Sequence, residues 1–253
     1  MNIILSFVAL GAGLLYVWLG LNYAAIIIAA IFCISGNVVS FIPTVLISQA
    51  LTSILGAKLR SSLIEDTAKN TLKGLAMAIS ALIAFLSASI VGTILNDNIR
   101  VLLIAVIVLL SAFIIAIPTS KNRYEEIHGM ELIIGGIGGI VKGILGGGIT
   151  PLLIALQKVC GIDIDSSIFR TLISEIVLCI SAAIPYIVTY SIDFIDFIAI
   201  AIPSMIGAVI GLRIFKPLDR ELRQRFVLVS MVVLSLILFI KFLHGISLGG
   251  INE

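Results

Sequence analysis

The stretch from Gly135 to Leu156, GGIGGIVKGILGGGITPLLIAL, is apolar enough to enter a bilayer and too rich in glycine to stay one helix. Gly135, Gly139, Gly143 and Gly147 recur every four residues. They share a helical face with almost no side chains, against which another backbone can approach closely. Gly146, Gly147 and Gly148 then remove side chains from three consecutive positions. Glycine costs a helix about 1 kcal/mol relative to alanine, so a break is predicted here. Thr150-Pro151 predicts a restart, because threonine can N-cap a helix and proline suits its first turn. Irregular backbone at membrane depth survives only where it is buried in protein or lines a wet cavity. Lys142 lies one turn before the break. An intramembrane lysine is costly and marks a functional site unless it snorkels to the interface.

The rest of the chain fits a membrane setting. Of its 253 residues, 60% are hydrophobic and 12% charged, with a mean hydropathy of +1.24. This is the composition of an all-α polytopic membrane protein, with no room for an added globular domain. A net charge of +2 without a basic run gives no reason to expect nucleic acid. The start, MNIILSFVAL, lacks a basic n-region and is expected to be membrane structure, not a cleaved signal. Cys33, Cys160 and Cys179 have no metal-ligand spacing, and His128 and His244 fall near segment ends. No metal site, cofactor or catalytic triad is expected.

Apolar segments run over 3–34, 36–57, 74–95, 101–118, 131–159, 167–190, 194–215 and 225–243. The first and fifth exceed a simple span, and each contains a predicted break. An offset of 126 places LISQ at Leu46–Gln49 on LISE at Leu172–Glu175, Gly13 on Gly139, Gly20 on Gly146, Asn22 on Gly148 and Ser40 on Ser166. After a small gap, Ala88 falls on Gly207 and Gly92 on Gly211. The chain therefore reads as two four-segment membrane repeats, 1–120 and 121–253, forming one transmembrane unit. Transporters built this way hold their site between the repeats.

Basic residues crowd 58–73, 119–130 and 213–224. The charge rule puts all three loops on the cytoplasmic side. Eight plain crossings would put the last of them opposite the other two. The conflict disappears if segments one and five, broken at Gly20-Leu21-Asn22 and Gly146–Gly148, each enter and leave on one side. Each repeat then has an odd number of crossings, and the repeats are inverted. Full crossings by broken helices are the alternative.

Candidate chemistry gathers around the breaks. A helix starting near Thr150 aims N–H groups and a partial positive charge at the break, the arrangement that binds anions. Asn22 suits the same role for a helix in segment one. Lys142 adds a full charge, and Arg170 could pair bidentately with an anion's oxygens unless it is an interface anchor. Ser167, Arg170, Thr171 and Ser174 share one polar face of segment six. Ser48, Gln49, Thr52 and Ser53 do so in segment two, and hydrogen bonding between helices is the plainer role for any one hydroxyl. Glu175 is a carboxylate inside an apolar segment, matched in the other half by neutral Gln49. Burial disfavours its charged form, which suits proton coupling, whereas a salt bridge to Lys142 would hold it ionised.

The pattern Gly139-x-x-Lys142-Gly143-x-x-Gly146-Gly147-Gly148-x-x-Pro151 resembles the TauE/SafE family of sulfite exporters and related permeases. Thr171 and Gly207-x-x-x-Gly211-x-Arg213, followed by a basic loop and a last apolar helix, are similar to that family too. In the first half, Gly20-Leu21-Asn22 stands where the family has Gly-Gly-Gly, and Ala25 where it has proline. The resemblance implies a multi-pass plasma-membrane permease for small sulfur-containing anions such as sulfite, sulfonates or sulfoacetate. On this expectation Asn22, Lys142, Gly146, Gly147, Gly148, Thr150, Arg170, Thr171 and Ser174 bind the anion. Glu175 couples protons, and Ser48, Gln49 and Thr52 are the matching positions of the first half. The alternative is a non-transporting assembly factor or an intramembrane enzyme. An enzyme would need a nucleophile with a base or a metal cluster, and no histidine is well placed for either.

Overall fold

The computed structural model describes residues 2–35, 39–95, 97–116, 129–147, 149–215 and 220–249. Gly148, His128 and the basic residues Lys121, Arg123 and Lys216 lie outside these. The described residues form helices and no strand. The helices are α1 (Asn2–Leu19), α2 (Tyr23–Ser35), α3 (Ile42–Arg60), α4 (Thr67–Ile94), α5 (Asp97–Ala116), α6 (Met130–Leu145), α7 (Thr150–Val159), α8 (Ile164–Thr189), α9 (Phe194–Phe215) and α10 (Arg220–Gly249). The expected first segment is α1 plus α2, and the fifth is α6 plus α7. Four stretches are long and apolar enough to cross a membrane: Ile42–Leu63, Thr67–Gly92, Ile164–Val188 and Phe194–Ile214. This is a multi-pass, all-helical membrane protein.

The helices are apolar on both faces, but the faces differ. Along α4, Ile79, Ile83, Leu86 and Ile90 are exposed, whereas Met77, Ala81, Phe85 and Ala88 are buried. The exposed stripe suits lipid, and the buried one, small in part, packs on α6. There, Gly135 and Gly139 do what their spacing predicts: a β-carbon would lie 2.3 Å from the Met77 carbonyl oxygen and 2.0 Å from that of Ala81. Gly143 continues the stripe against Phe85 and Ala88. Gly147 does not belong to it, because α6 ends at Leu145 and turns away. A second close seam joins α9 to α1, where a β-carbon on Gly207 would meet the Leu10 carbonyl oxygen at 1.9 Å.

Both breaks end in the same way. Gly20 and Gly146 have φ of +73° and +75°, the left-handed conformation that glycine accepts without strain. Their N–H groups close the preceding helices on Tyr16 and Lys142 carbonyls. The restarts differ. Asn22 caps α2, its Oδ1 accepting from the Ala25 N–H at 3.1 Å. Thr150 does not cap α7: the cap position is Ile149, without a side-chain bond, and Thr150 is the first helical residue. Its hydroxyl is used elsewhere.

Packing partners come in exchanged pairs. α4 lies on α6 and α1 on α9; α4 meets α8 and α3 meets α9; α3 packs on α8 and α5 on α10. α1 and α9 run parallel, since Ser6 bonds Ala199 while Gly13 meets Ser204 and Gly211 meets Leu14. α4 and α6 are parallel by the glycine stripe. α3 and α8 are antiparallel: Arg60 pairs with Asp165, Gly56 meets Leu172 and Gln49 meets Glu175. α7 returns along α6, with Leu153 against Gly138. α6 and α7 thus form a helical hairpin whose tip is the glycine break. Arg60, expected in a loop, is instead the last residue of α3 and fully buried. It donates to the Val17 and Trp18 carbonyls at 2.7 and 2.6 Å and so caps the end of α1.

Candidate functional site

A buried polar network lies where α1, α3, α6, α7 and α8 meet, beside both breaks. Lys142, in the last turn of α6, is 1% exposed and does not snorkel. Its Nζ donates to Glu175 Oε2 at 2.5 Å and to Cys179 Sγ at 3.0 Å. The Thr150 hydroxyl donates to Glu175 Oε1 at 3.0 Å. The Gln49 amide donates to Oε2 at 3.2 Å, as does the Cys179 thiol. One carboxylate therefore gathers donors from α3, α6, α7 and its own helix. The ion pair between Lys142 and Glu175, one of the two readings of this carboxylate, is formed. A buried pair of this kind is held by mutual compensation, since either charge alone would be stranded in apolar surroundings.

A second cluster adjoins it. The Tyr23 hydroxyl donates to Ser48 Oγ at 2.9 Å, and Thr52 Oγ1 meets Ser204 Oγ at 2.9 Å. Tyr16 donates to Ser53 Oγ at 2.6 Å, because the Ser53 proton is directed at the Gln49 carbonyl. The rings of Tyr16 and Tyr23 lie tilted against each other across the first break, 5.7 Å between centroids. Ser48 and Thr52 thus take the helix-to-helix bonding expected for single hydroxyls.

Three fully buried polar atoms near the breaks have no hydrogen-bond partner among the described residues: Asn22 Nδ2, Ser174 Oγ and Gln49 Oε1. The first two were candidate ligand residues. Gly146 and Gly147 form the break itself. A β-carbon on Gly147 would lie 3.1 Å from that of Ala24, so the two broken segments touch there. Ile154 of α7 likewise lies against Gly20.

Two candidates lie elsewhere. Arg170 donates to Asn70 Oδ1 at 2.6 Å and faces Glu131 at 3.7 Å, beside the Lys73–Glu131 pair. Glu131 is in the first turn of α6 and Lys142 in its last, about 16 Å along the axis. Arg170 therefore stands at the other end of α6, as an anchor between α4, α6 and α8. Thr171 accepts from Gln157 Nε2 at 2.9 Å, one turn from the carboxylate.

Sequence inspection missed Tyr16, Tyr23, Cys179 and Ser204. The signal for two of them was present: the offset of 126 that pairs Gln49 with Glu175 also pairs Tyr16 with Lys142 and Ser53 with Cys179. No group of three or more metal-ligating side chains occurs among the described residues.

No curated protein and no solved structure gives a significant match to this chain. The sequence model of one family, Sulfite exporter TauE/SafE, matches residues 5–238. That match spans both breaks, the glycine seams and the buried Lys142–Glu175 network, and the chain belongs to the TauE/SafE family of membrane sulfite exporters.

Proposed function

We propose that this protein carries small sulfur-containing anions of the sulfite, sulfonate or sulfoacetate class across the plasma membrane, together with a proton. The observation that carries this is a fully buried Lys142–Glu175 pair at 2.5 Å set between two broken helices. Buried Asn22 Nδ2 and Ser174 Oγ, both without a hydrogen-bond partner among the described residues, supply further polar groups beside it. An anion reaching Lys142 must replace Glu175 as its counter-charge. Glu175 would then be a buried, uncompensated carboxylate unless it takes a proton. Anion and proton entering together keep the site neutral at every stage.

The proposal includes two inverted repeats, 1–120 and 121–253. Gln49 and Glu175, which match at the offset of 126, are in contact across antiparallel helices. A two-fold axis relating such helices runs across them, in the membrane plane, and not along them. The exchanged packing of α1, α4, α6 and α9 supports the same axis. Helices α3, α5 and α9 then end on one side, where the basic loops 58–73, 119–130 and 213–224 leave, and the charge rule makes that side cytoplasmic. The hairpins α1–α2 and α6–α7 enter from opposite faces and converge on the site, as in transporters with midplane sites at broken helices.

The test is flux into liposomes containing only this protein. Radiolabelled sulfite or sulfoacetate should exchange across the bilayer, and the exchange should be saturable. A purified, folded protein that moves neither anion would exclude the permease and favour an assembly role.

A further inference from the structure

Glu175 has an ionic setting on one side and a neutral one on the other. On the α6 side stand Lys142 and Cys179, bonded to each other at 3.0 Å. On the α1 side stand Tyr16 and Ser53, bonded at 2.6 Å. The offset of 126 maps Tyr16 onto Lys142 and Ser53 onto Cys179, so these two bonds match residue for residue. Gln49 and Glu175 lie between them, themselves a matched pair. Chemically the two sides are unlike: an ammonium with a thiol, against a phenol with an alcohol.

Gln49 adds an independent sign. Its Nε2 donates to Glu175 Oε2, while its Oε1 is buried and has no partner among the described residues. An ionised carboxylate has no proton to offer that oxygen. A protonated carboxyl has one O–H donor and one carbonyl acceptor, the complement of an amide with one N–H given and one oxygen waiting. The titratable groups around Glu175 are Lys142 from α6, Cys179 from α8 and Tyr16 from α1, with Tyr23 of α2 against the Tyr16 ring. From the other helices in contact, α3 presents Gln49 and α7 presents Thr150. No second carboxylate is among them.

We propose that Tyr16, Ser53 and Gln49 form a second, uncharged seat for the Glu175 carboxyl group, occupied only in its protonated form when an anion takes Glu175's place at Lys142. The step balances simply. Glu175 gains one proton from the side to which the site is open, donates that O–H to Gln49 Oε1, and accepts from the Tyr16 phenol, whose single proton turns to it from Ser53 Oγ. When the anion leaves, the proton leaves, and the carboxylate returns to Lys142. Tyr16 acts here as a positioning residue that selects the proton-loaded form. The inference rests on the permease reading and adds the device that makes the proton obligatory.

Tyr16→Lys is the discriminating change, because it makes the second seat cationic and lets Glu175 stay ionised in both. Proteoliposomes would be charged with sulfite or with sulfoacetate, with the membrane potential clamped at zero. One proton per anion gives the wild type about tenfold accumulation for a gradient of about one pH unit. Tyr16→Lys should keep anion exchange while accumulation falls to the level of Glu175→Gln. Infrared difference spectra give a second readout that needs no flux. A carboxylic-acid band should rise on anion binding in the wild type, vanish in Glu175→Gln, and be weak or absent in Tyr16→Lys. Should Tyr16→Lys not fold, Tyr16→Phe keeps the ring and removes one donor, and its acid band should be weaker than wild type at the same pH. Wild-type accumulation in Tyr16→Lys, or an undiminished acid band in either variant, overturns the second seat. Absence of any wild-type flux overturns the permease reading and the inference with it.

Discussion

Gln49 donates its amide to Glu175 Oε2 at 3.2 Å, across 126 residues of sequence and between antiparallel α3 and α8. Each is the counterpart of the other in the alignment of the two halves, yet only one can ionise. The asymmetry is continued around them by Tyr16 against Lys142 and Ser53 against Cys179. Among these positions paired by the offset, charge is carried only by Lys142 and Glu175. That arrangement makes the Lys142–Glu175 pair the centre of any account of this site.

The pair should behave as a unit in stability. Lys142→Met leaves Glu175 buried without a counter-charge, which costs about 3–5 kcal/mol. Adding Glu175→Gln removes the stranded charge and should recover most of that loss. Thermal unfolding in detergent, run as a double-mutant cycle, measures the coupling. Strictly additive effects would mean that the pair contributes nothing as a pair.

Glu175→Gln by itself should separate two modes of transport. It leaves Lys142 uncompensated when the site is empty but compensated when an anion is bound. The variant should therefore gain more thermal stability from sulfite or sulfoacetate than the wild type does. Anion-for-anion exchange should survive, because the site crosses the membrane occupied. Accumulation driven by a pH gradient should fail, because the empty carrier cannot return with a naked ammonium. Unchanged pH-driven accumulation would leave Glu175 a purely structural residue.

Orientation is testable with single cysteines at Lys69, Arg123 and Arg220 in a cysteine-free background. A membrane-impermeant thiol reagent should reach all three from the same side. Labelling of position 220 from the side opposite position 69 would break the re-entrant topology. It would require α6 and α7 to form a full crossing.

Much of this architecture was legible because glycine and proline act through the backbone. Gly146 and Gly20 end helices wherever their neighbours pack, and Pro151 marks the next first turn in any context. The glycine stripe predicted a close seam without naming its partner, because the face of α4 it meets is made of ordinary residues such as Met77 and Ala81. Side-chain roles were harder to read. Thr150 has the chemistry of a cap, but a carboxylate from another helix takes its hydroxyl. Arg60 looked like one more loop cation, and only the packing of α1 against α3 reveals that it caps α1. Arg170 had the charge an anion needs, but its guanidinium is engaged with Asn70 and faces Glu131 at the start of α6. Tyr16 and Cys179 are uninformative in isolation, and gain meaning only when the offset found for Gln49 and Glu175 is extended to them.

The seam between α4 and α6 predicts opposite outcomes at neighbouring glycines. At Gly139 a β-carbon would lie 2.0 Å from the Ala81 carbonyl oxygen, and the nearest atoms it meets are all backbone. Gly139→Ala must push the helices apart and should destabilise the protein strongly. At Gly136 nothing lies within 4 Å, so Gly136→Ala should raise stability by up to about 1 kcal/mol through helix propensity. Melting temperatures of the two variants in the same detergent decide it. Equal effects would mean that the α4–α6 seam is looser than described.

The last prediction concerns where the anion is held. Helix N-termini stabilise an anion by about 0.3–1 kcal/mol when exposed and by up to about 2 when partly buried. If the N–H groups around Gly147–Thr150 hold the anion and Lys142 adds attraction, Lys142→Ala should weaken binding without necessarily abolishing it. Gly147→Val should do more. Its β-carbon would lie 3.1 Å from that of Ala24 and 3.7 Å from Ile28 Cδ1, where the two broken segments meet. The branched side chain would prise them apart and cover the backbone the anion must approach. Affinity for sulfite and sulfoacetate, measured calorimetrically on variants with intact helical content, gives the order. Normal binding by Gly147→Val together with complete loss in Lys142→Ala would move the site away from the break and onto the lysine alone.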